Sequence, residues 1–198
     1  GIGAWVSTGV GCPGEDAEGV IGGIDFLRKV VRNEEIKLGE KVAIVGGGNT
    51  AMDACRTAVR LGAKEVYNIY RRTKDEMPAD MVEIEEAEEE GVIFKNLTNP
   101  LEVIKDEKGH VKEVVLQVME LGEPDASGRR KPVDSGETFN IDCTYLISAI
   151  GEKADENVLS ALGLSEEEKV YVIGDTKTGP STVVRCIASA QSAVDDAI

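Results

Sequence analysis

The chain has 198 residues, a length that suits one large domain or one domain with part of another. Hydrophobic residues make up 41% and charged residues 30%, the balance of an ordinary globular protein, so intrinsic disorder is not expected. The 22 Lys and Arg against 37 Asp and Glu give a formal net charge of −15, which repels nucleic-acid backbones and anionic membranes. We therefore predict no nucleic-acid partner, and any anionic ligand needs a local basic cluster.

Neither a membrane segment nor a metal site is indicated. No apolar run approaches the roughly 20 residues that span a bilayer, and no charged-then-apolar leader opens the sequence, so we expect a cytoplasmic protein without membrane insertion. The cysteines are far apart, without a C-x-x-C pair, and His110 is the single histidine. We interpret Cys12, Cys55, Cys143 and Cys186 as reduced structural thiols, with pairing in an oxidising compartment as the alternative.

The N-terminal residues predict a connector and a short helix. The sequence begins at Gly1 without an initiator Met, as though inside a packed element, so we expect a piece of a longer protein. Turn residues from Cys12 to Asp16 lead to an apolar set at the spacing of one helix face. That set is Ile24, Leu27, Val30 and Val31.

A strand, a glycine turn and a helix follow in order. Residues 42–45 form a short apolar run, typical of a buried parallel strand. From Asn49 the apolar residues recur with the period of a helix, and Gly62 is placed to end it. Residues 65–70 predict the next strand, because β-branched and aromatic residues recur in them.

The second half of the chain predicts further strands and helices. Residues 80–90 carry seven carboxylates and no base, with apolar residues at helical spacing, so we expect an amphipathic helix with a solvated acidic face. Residues 122–138 are rich in turn formers and predict a long loop or hairpin end. Strands are predicted at 92–94, 101–105, 111–120, 145–151 and 170–173, and helices near 158–162 and from 183 to 197.

The first candidate site is the run from Gly46 to Ala51, which fits G-x-G-x-x-A between a strand and a helix. Gly46 makes the tight turn, Gly48 lets a diphosphate approach the backbone, and Ala51 allows close packing of helix and strand. The helix N-terminus offers unpaired N–H groups and a partial positive charge. Such glycines also occur in plain turns, but this context favours a dinucleotide.

Two arginines end the second strand of this motif. An acidic residue there would bind the ribose hydroxyl of NAD, whereas an arginine accommodates the 2′-phosphate of NADP. Arg71 and Arg72 therefore predict NADPH over NADH. The alternative is that they are surface ion-pair partners of the acidic helix that follows.

Together these residues resemble a family. The sequence VAIVGGGNTAMD at 42–53, with Tyr70-Arg71-Arg72 and 76–78, is similar to the NADPH-binding domain of the glutamate synthase small (beta) subunit and its relatives, including the N-terminal half of dihydropyrimidine dehydrogenase. The resemblance implies an α/β fold: a Rossmann-like NAD(P)-binding domain, a parallel sheet with an inserted β-meander, plus a partial FAD-binding domain. It divides the chain into a FAD-domain remnant with connector at 1–35, the NADPH domain at 36–150 and a C-terminal FAD-domain part at 151–198.

The same resemblance assigns the site residues. It implies no catalytic side chain, because hydride transfer between cofactors depends on position and electronic tuning. The sequence lacks an earlier Gly-rich FAD fingerprint and iron–sulfur cysteines, so we expect FAD in the full-length parent and an inactive chain on its own. The implied contacts are Gly46, Gly48, Asn49, Thr50 and Ala51 with the diphosphate, Arg71 and Arg72 with the 2′-phosphate, Ala149, Ile150 and Gly151 near the nicotinamide, and Gly174, Asp175, Thr182 and Val183 with FAD.

The implied function of the parent is hydride transfer between NADPH and FAD, with electrons passed to iron–sulfur centres or a large partner subunit. A non-catalytic nucleotide-sensing or docking module is the alternative. A stand-alone NAD(P) dehydrogenase is disfavoured, because no separate substrate domain or catalytic constellation is found in the sequence.

Overall fold

The computed structural model describes residues 1–124, 130–163 and 170–197. The chain divides into two compact units, a larger one of Gly9–Ile150 and a smaller one of Gly1–Thr8 with Gly151–Ile198. The predicted boundary between residues 35 and 36 separates a FAD-binding part from an NADPH-binding part. The division into units does not address which cofactor a part binds, so this boundary stays a prediction.

Strands and helices alternate in the first half of the chain, and a run of strands follows. The strands are β1 (Val6–Ser7), β2 (Val20–Gly22), β3 (Lys41–Val45), β4 (Glu65–Tyr70), β5 (Ile93–Asn96), β6 (Thr98–Lys105), β7 (Val111–Pro124), β8 (Arg130–Asp142), β9 (Tyr145–Ser148) and β10 (Glu152–Lys153). The helices are α1 (Gly23–Val31), α2 (Asn49–Arg60), α3 (Met81–Glu89), α4 (Glu156–Ala161), α5 (Asp175–Thr178) and α6 (Val183–Ala197).

The larger unit is built on a five-stranded parallel sheet in the order β2-β9-β3-β4-β5. α2 joins β3 to β4, and α3 joins β4 to β5, so the chain winds outward on one side of β3. β9 and β2 lie on the other side of β3, and the strand order therefore reverses between β3 and β9. This confirms the predicted Rossmann-like fold, and the reversal marks the edge where such sheets bind ligands.

The two faces of the sheet are covered differently. Val42 and Ile44 of β3 join the cluster that contains the apolar residues of α1, α2 and α3. Ala43 and Val45 join a second cluster with residues of β6 and β7. Alternate residues of a strand point to opposite faces, so β3 is buried on both. The prediction for α1 was wrong in one position: Val31 is 81% exposed, and Phe26 is fully buried instead.

An antiparallel sheet of order β6-β7-β8 forms the inserted β-meander. Of the two forms predicted for 122–138, a long loop or a hairpin end, the structure has the hairpin end, because β7 runs to Pro124 and pairs with β8, which begins at Arg130. Residues 125–129 lie outside the described part. The two strands are largely exposed here and their register shifts twice, so backbone hydrogen bonds hold them without an apolar pattern.

The acidic helix α3 faces the arginines of α2. The Arg56 guanidinium lies 2.7 Å from Glu83, 2.6 Å from Glu86 and 2.9 Å from Glu90, and Arg60 lies 2.5 Å from Glu90. The predicted acidic face is therefore partly exposed to solvent and partly paired with these arginines. Helical spacing showed which apolar residues are buried, but it could not show which basic residues of α2 would meet the carboxylates.

Acidification is expected to weaken this contact. Arg60, and after it Arg56, hydrogen-bonds the Glu90 carboxylate and holds its pKa below the usual 4.5. A carboxyl with a lowered pKa stabilises the folded state above its unfolded pKa, and this contribution is lost as the pH falls through the lowered value. We therefore expect the melting temperature to drop as the pH falls below about 4.5.

The Arg56→Ala variant tests this prediction by thermal melting followed by circular dichroism. This variant should have a lower melting temperature at pH 7 than the unsubstituted chain, and its melting temperature should fall less on acidification. Arg32→Ala is the control, because Arg32 is exposed and lies 4.0 Å from its carboxylate partner Glu34. The prediction would be contradicted if the melting temperature of Arg56→Ala fell with pH as steeply as that of the unsubstituted chain.

The smaller unit contains the antiparallel pair β1–β10 and the helices α4, α5 and α6. The prediction of a buried strand at 170–173 was wrong: these residues form no strand, and Val170 and Val172 are exposed. A strand needs a neighbouring backbone, and among the described residues none pairs with this segment. α6 confirms the predicted last helix, but its apolar face, including Val183 and Ile187, is exposed.

Candidate functional site

The glycine turn lies at the reversal of strand order, between the carboxyl ends of β3 and β9. Gly46 has φ +145°, and a Cβ there would overlap the Ala149 carbonyl oxygen. A Cβ on Gly47 would lie 2.5 Å from the Tyr70 ring. A Cβ on Gly48 would meet nothing closer than Pro78 Cγ at 4.0 Å. Packing inside the protein thus requires the first two glycines but not the third.

The N-terminus of α2 has unused hydrogen-bond donors. Gly48 is its N-cap, and no side chain caps the helix. The N–H groups of Ala51 and Met52 donate to the Gly48 carbonyl at 2.9 and 3.2 Å. For the N–H groups of Asn49 and Thr50 the described residues offer no acceptor. The first turn also contains no acidic residue, so the helix end suits an anion.

The side chain of Asn49 is engaged within the protein. Its Oδ1 accepts from the Asp80 N–H at 2.9 Å, and its Nδ2 donates to Asp80 Oδ2 at 3.2 Å. The Ala79 N–H also donates to the Gly47 carbonyl at 3.0 Å. The segment before α3 is therefore attached to the turn, and the backbone N–H is what Asn49 can offer a ligand. Sequence spacing gave no signal for this attachment.

The start of α1 and the end of β9 border the turn. A Cβ on Gly23 would lie 3.0 Å from Ala149 Cβ and 3.3 Å from Thr50 Cγ2, so these three residues pack closely. Ile150 is half-exposed at the end of the larger unit. Gly151, the next residue of the chain, belongs to the smaller unit.

The two arginines after β4 have different surroundings. Arg71 is exposed, whereas Arg72 is 8% exposed and its Nε donates to the Arg130 carbonyl at 2.9 Å. The Arg72 carbonyl accepts from the N–H of Leu97, which has φ +53°. Arg72 is thus attached to the β-meander, a contact that the sequence did not predict.

The alternative interpretation, in which these arginines pair with the acidic helix, is not supported. Within the described part of the chain the ion pairs of α3 involve Arg56 and Arg60 of α2, together with Lys74. Arg71 and Arg72 form no ion pair among those residues, and of the two only Arg71 is exposed.

A polar side chain that the sequence analysis missed lies beneath the turn. Asn68, in the middle of β4, is fully buried, and its Nδ2 donates to the Gly46 carbonyl at 2.8 Å. The sequence could have indicated this residue, because Asn68 is a polar residue in the interior of a strand that is otherwise mostly buried.

The predicted FAD residues lie in the smaller unit. The Gly174 N–H donates to Ser189 Oγ at 3.1 Å, and the Cys186 thiol lies 3.2 Å from Asp175 Oδ1. The hydrogen bond to this carboxylate, followed by burial, raises the pKa of Cys186. Thr182 accepts the Cys186 N–H at its carbonyl, and Val183 is exposed at the start of α6.

The remaining cysteines behave as structural thiols. All four cysteines are free, and Cys55 and Cys143 are buried. Burial raises the pKa of each of these two to about 12, so neither is a thiolate at neutral pH. In the ranges that the structure describes, no group of His, Cys, Asp and Glu could hold a metal ion. A search of those same ranges finds no helix with the length and apolarity to cross a bilayer.

The parallel sheet with a glycine turn at its reversal point defines a Rossmann-like α/β protein. The sequence profile of the pyridine nucleotide-disulphide oxidoreductases matches residues 1–196, and the chain belongs to that family. It is 38% identical over 232 aligned residues to the beta subunit of the NADPH-Fe(3+) oxidoreductase of Geobacter sulfurreducens, covering 96% of this chain and 34% of that protein.

Two further comparisons agree with this assignment. The small chain of the NADPH glutamate synthase of Escherichia coli is 32% identical, over 98% of this chain and 48% of that protein, which confirms the resemblance found in the sequence. The structure of Mycobacterium tuberculosis FprA in complex with NADPH has the same fold, with a TM-score of 0.78 and 20% identity over 98% of this chain and 61% of that one. The chain thus spans a third to a half of the length of these curated relatives.

Proposed function

We propose that the larger unit binds NADPH at the carboxyl edge of its parallel sheet, with the diphosphate on the turn from Gly46 to Ala51. The observation that carries the proposal is the open space over Gly48, a glycine that the protein's own packing does not require. The missing side chain leaves the backbone open to a ligand beside the unpaired N–H groups of Asn49 and Thr50. Gly46 and Ala51 shape the turn, and Ala149 and Ile150 border the nicotinamide end.

The preference for the phosphorylated dinucleotide rests on Arg71 and Arg72. In a chain of net charge −15, two arginines without ion-pair partners among the described residues form a local positive site. Arg71 is exposed and can turn toward a 2′-phosphate, and Arg72 is held beside it by the Arg130 carbonyl. Guanidinium groups match phosphate oxygens in charge and geometry.

The parent protein is proposed to be a cytoplasmic, NADPH-dependent flavin oxidoreductase that delivers electrons to an iron–sulfur domain or a larger subunit. Support comes from the relatives, which include an NADPH-Fe(3+) oxidoreductase subunit and the small chain of an NADPH glutamate synthase. The nicotinamide would supply a hydride and the flavin would accept it when both are bound.

In the smaller unit, Asp175 is the proposed partner of the flavin's ribityl hydroxyls. The contact with the Cys186 thiol holds its carboxylate, an acceptor of the type that a hydroxyl donor needs. Gly174, Thr182 and Val183 would line this part of the FAD site.

Calorimetric titration of the 198-residue chain with NADPH and NADH tests the proposal. We expect NADPH to bind at least about 30-fold more tightly than NADH, because a charge-assisted phosphate contact is lost with NADH. Adenosine 2′,5′-bisphosphate should compete with NADPH and adenosine 5′-monophosphate should not. Absence of binding, or equal affinity for the two dinucleotides, would contradict the cofactor assignment.

A further inference from the structure

Asn68 is a polar residue at the centre of the parallel sheet. It pairs in register with Ile44 of β3 and Phe94 of β5, and its side chain has 0% exposure. Burying an amide costs free energy unless its polar atoms find partners. Its Oδ1 has no partner among the described residues, so stability of the core does not explain an asparagine at this position.

The nitrogen of the Asn68 amide donates one short hydrogen bond. Nδ2 lies 2.8 Å from the Gly46 carbonyl oxygen, and its second contact is a distant one, 3.8 Å from Cys55 Sγ. Rotating the amide by half a turn would place two acceptor oxygens against each other. The hydrogen bond to Gly46 therefore fixes the orientation of the side chain.

The same bond fixes a peptide group of the glycine turn. The Gly46 N–H donates to the Ile69 carbonyl at 3.0 Å, so β4 holds both polar groups of Gly46. The Gly46 carbonyl and the Gly47 N–H belong to one planar trans peptide and point in opposite directions. With the carbonyl held toward Asn68, the Gly47 N–H is directed away from β4, and within the described part of the chain it has no acceptor.

We propose that Asn68 is a positioning residue of the dinucleotide site, which orients the Gly46–Gly47 peptide and so presents the backbone N–H groups of the turn to the diphosphate. This inference rests on the proposed function. The buried amide acts through Gly46 and does not touch the ligand.

The Asn68→Leu variant separates binding from stability. Leucine is apolar and of similar size, and it removes the unpaired Oδ1 together with the donor to Gly46; the two effects oppose each other, so the free energy of unfolding should change little. The Gly46 carbonyl loses its donor, and the Kd for NADPH should rise by about tenfold. The Kd for NADH should rise by the same factor, because both dinucleotides carry the diphosphate. Cys55→Ala is the matched control: it removes the distant contact, keeps the bond to Gly46, and should leave both Kd values unchanged.

The Asn68→Asp variant adds a pH readout. A protonated carboxyl can donate to the Gly46 carbonyl as the amide does, whereas a carboxylate cannot. Burial raises the pKa of a carboxyl, so the variant should change protonation state between about pH 5 and about pH 8. The ratio of its Kd to that of the unsubstituted chain should rise with pH across this range. A ratio independent of pH would mean that the amide serves packing alone.

The outcomes distinguish this inference from the function on which it rests. If the unsubstituted chain binds NADPH and Asn68→Leu binds it equally well, the positioning role is overturned and the NADPH site stands. If the unsubstituted chain does not bind NADPH, the proposed function fails. The orientation of the Gly47 N–H bond, measured by residual dipolar couplings in ¹⁵N-labelled protein, then decides: a changed or averaged coupling in Asn68→Leu supports the positioning role, and an unchanged coupling overturns it.

Discussion

Replacing Gly46 with alanine is expected to destabilise the larger unit by about 2 to 5 kcal/mol, through a strained backbone and an overpacked contact. Its φ of +145° lies in a region that residues with a Cβ rarely adopt, and the added methyl would overlap the Ala149 carbonyl oxygen. That oxygen belongs to the backbone next to β9, so it cannot move aside as a flexible side chain could. Urea unfolding followed by circular dichroism measures the loss.

Gly48→Ala is the matched variant in the same turn. Gly48 has φ −94° and ψ 176°, which any residue adopts, and its Cβ would enter open space. The free energy of unfolding should therefore change by less than about 0.5 kcal/mol. The Kd for NADPH should nevertheless rise at least about tenfold, because the methyl occupies the space proposed for the diphosphate.

If the turn is a dinucleotide site, Gly46→Ala lowers the free energy of unfolding, whereas Gly48→Ala leaves it nearly unchanged and weakens the binding of NADPH. Equal destabilisation by both substitutions would show that Gly48 is required for the fold. A stable Gly48→Ala protein with unchanged affinity for NADPH would show that the diphosphate does not bind over Gly48. A stable Gly46→Ala protein would contradict the structural explanation of its φ angle.

Local patterns were enough to predict the elements that build the parallel sheet. β4 was placed at residues 65–70, because its strand-forming residues end at two arginines, and the glycines before Asn49 separate a strand period from a helical one. Both signals lie within a few neighbouring residues. The site at the carboxyl edge follows from them, because consecutive strand–helix units bring their turns to one edge.

Contacts between distant residues could not be predicted in this way. The bond from Asn68 to Gly46 spans 22 residues and that from Asp80 to Asn49 spans 31, and neither leaves a periodic pattern. The choice between a loop and a hairpin end at 122–138 could not be made for a related reason, since the strands there are held by backbone hydrogen bonds and lack apolar alternation. Burial patterns predict which residues enter the core, whereas polar partners depend on the folded geometry.

Arg71→Ala is expected to lower the affinity for NADPH by about 30-fold and to leave the affinity for NADH and the melting temperature unchanged. Arg71 is exposed, and its side chain forms no hydrogen bond or ion pair within the described residues, so its removal takes away the proposed contact with the 2′-phosphate and no contact that supports the fold. Arg32→Ala controls for the change in net charge, because Arg32 is an exposed arginine on α1 with a weak ion pair at 4.0 Å.

Arg72→Ala should differ from Arg71→Ala by affecting stability as well as binding. Its guanidinium is nearly buried and donates to the Arg130 carbonyl, so alanine leaves that carbonyl without this donor and opens a gap beside the β-meander. We expect a loss of about 1 to 3 kcal/mol in the free energy of unfolding, together with weaker binding of NADPH. Titrations with both dinucleotides and urea unfolding of the two variants measure these effects. If Arg72→Ala loses stability but keeps its discrimination between NADPH and NADH, then Arg71 alone recognises the 2′-phosphate and Arg72 belongs to the packing of the meander.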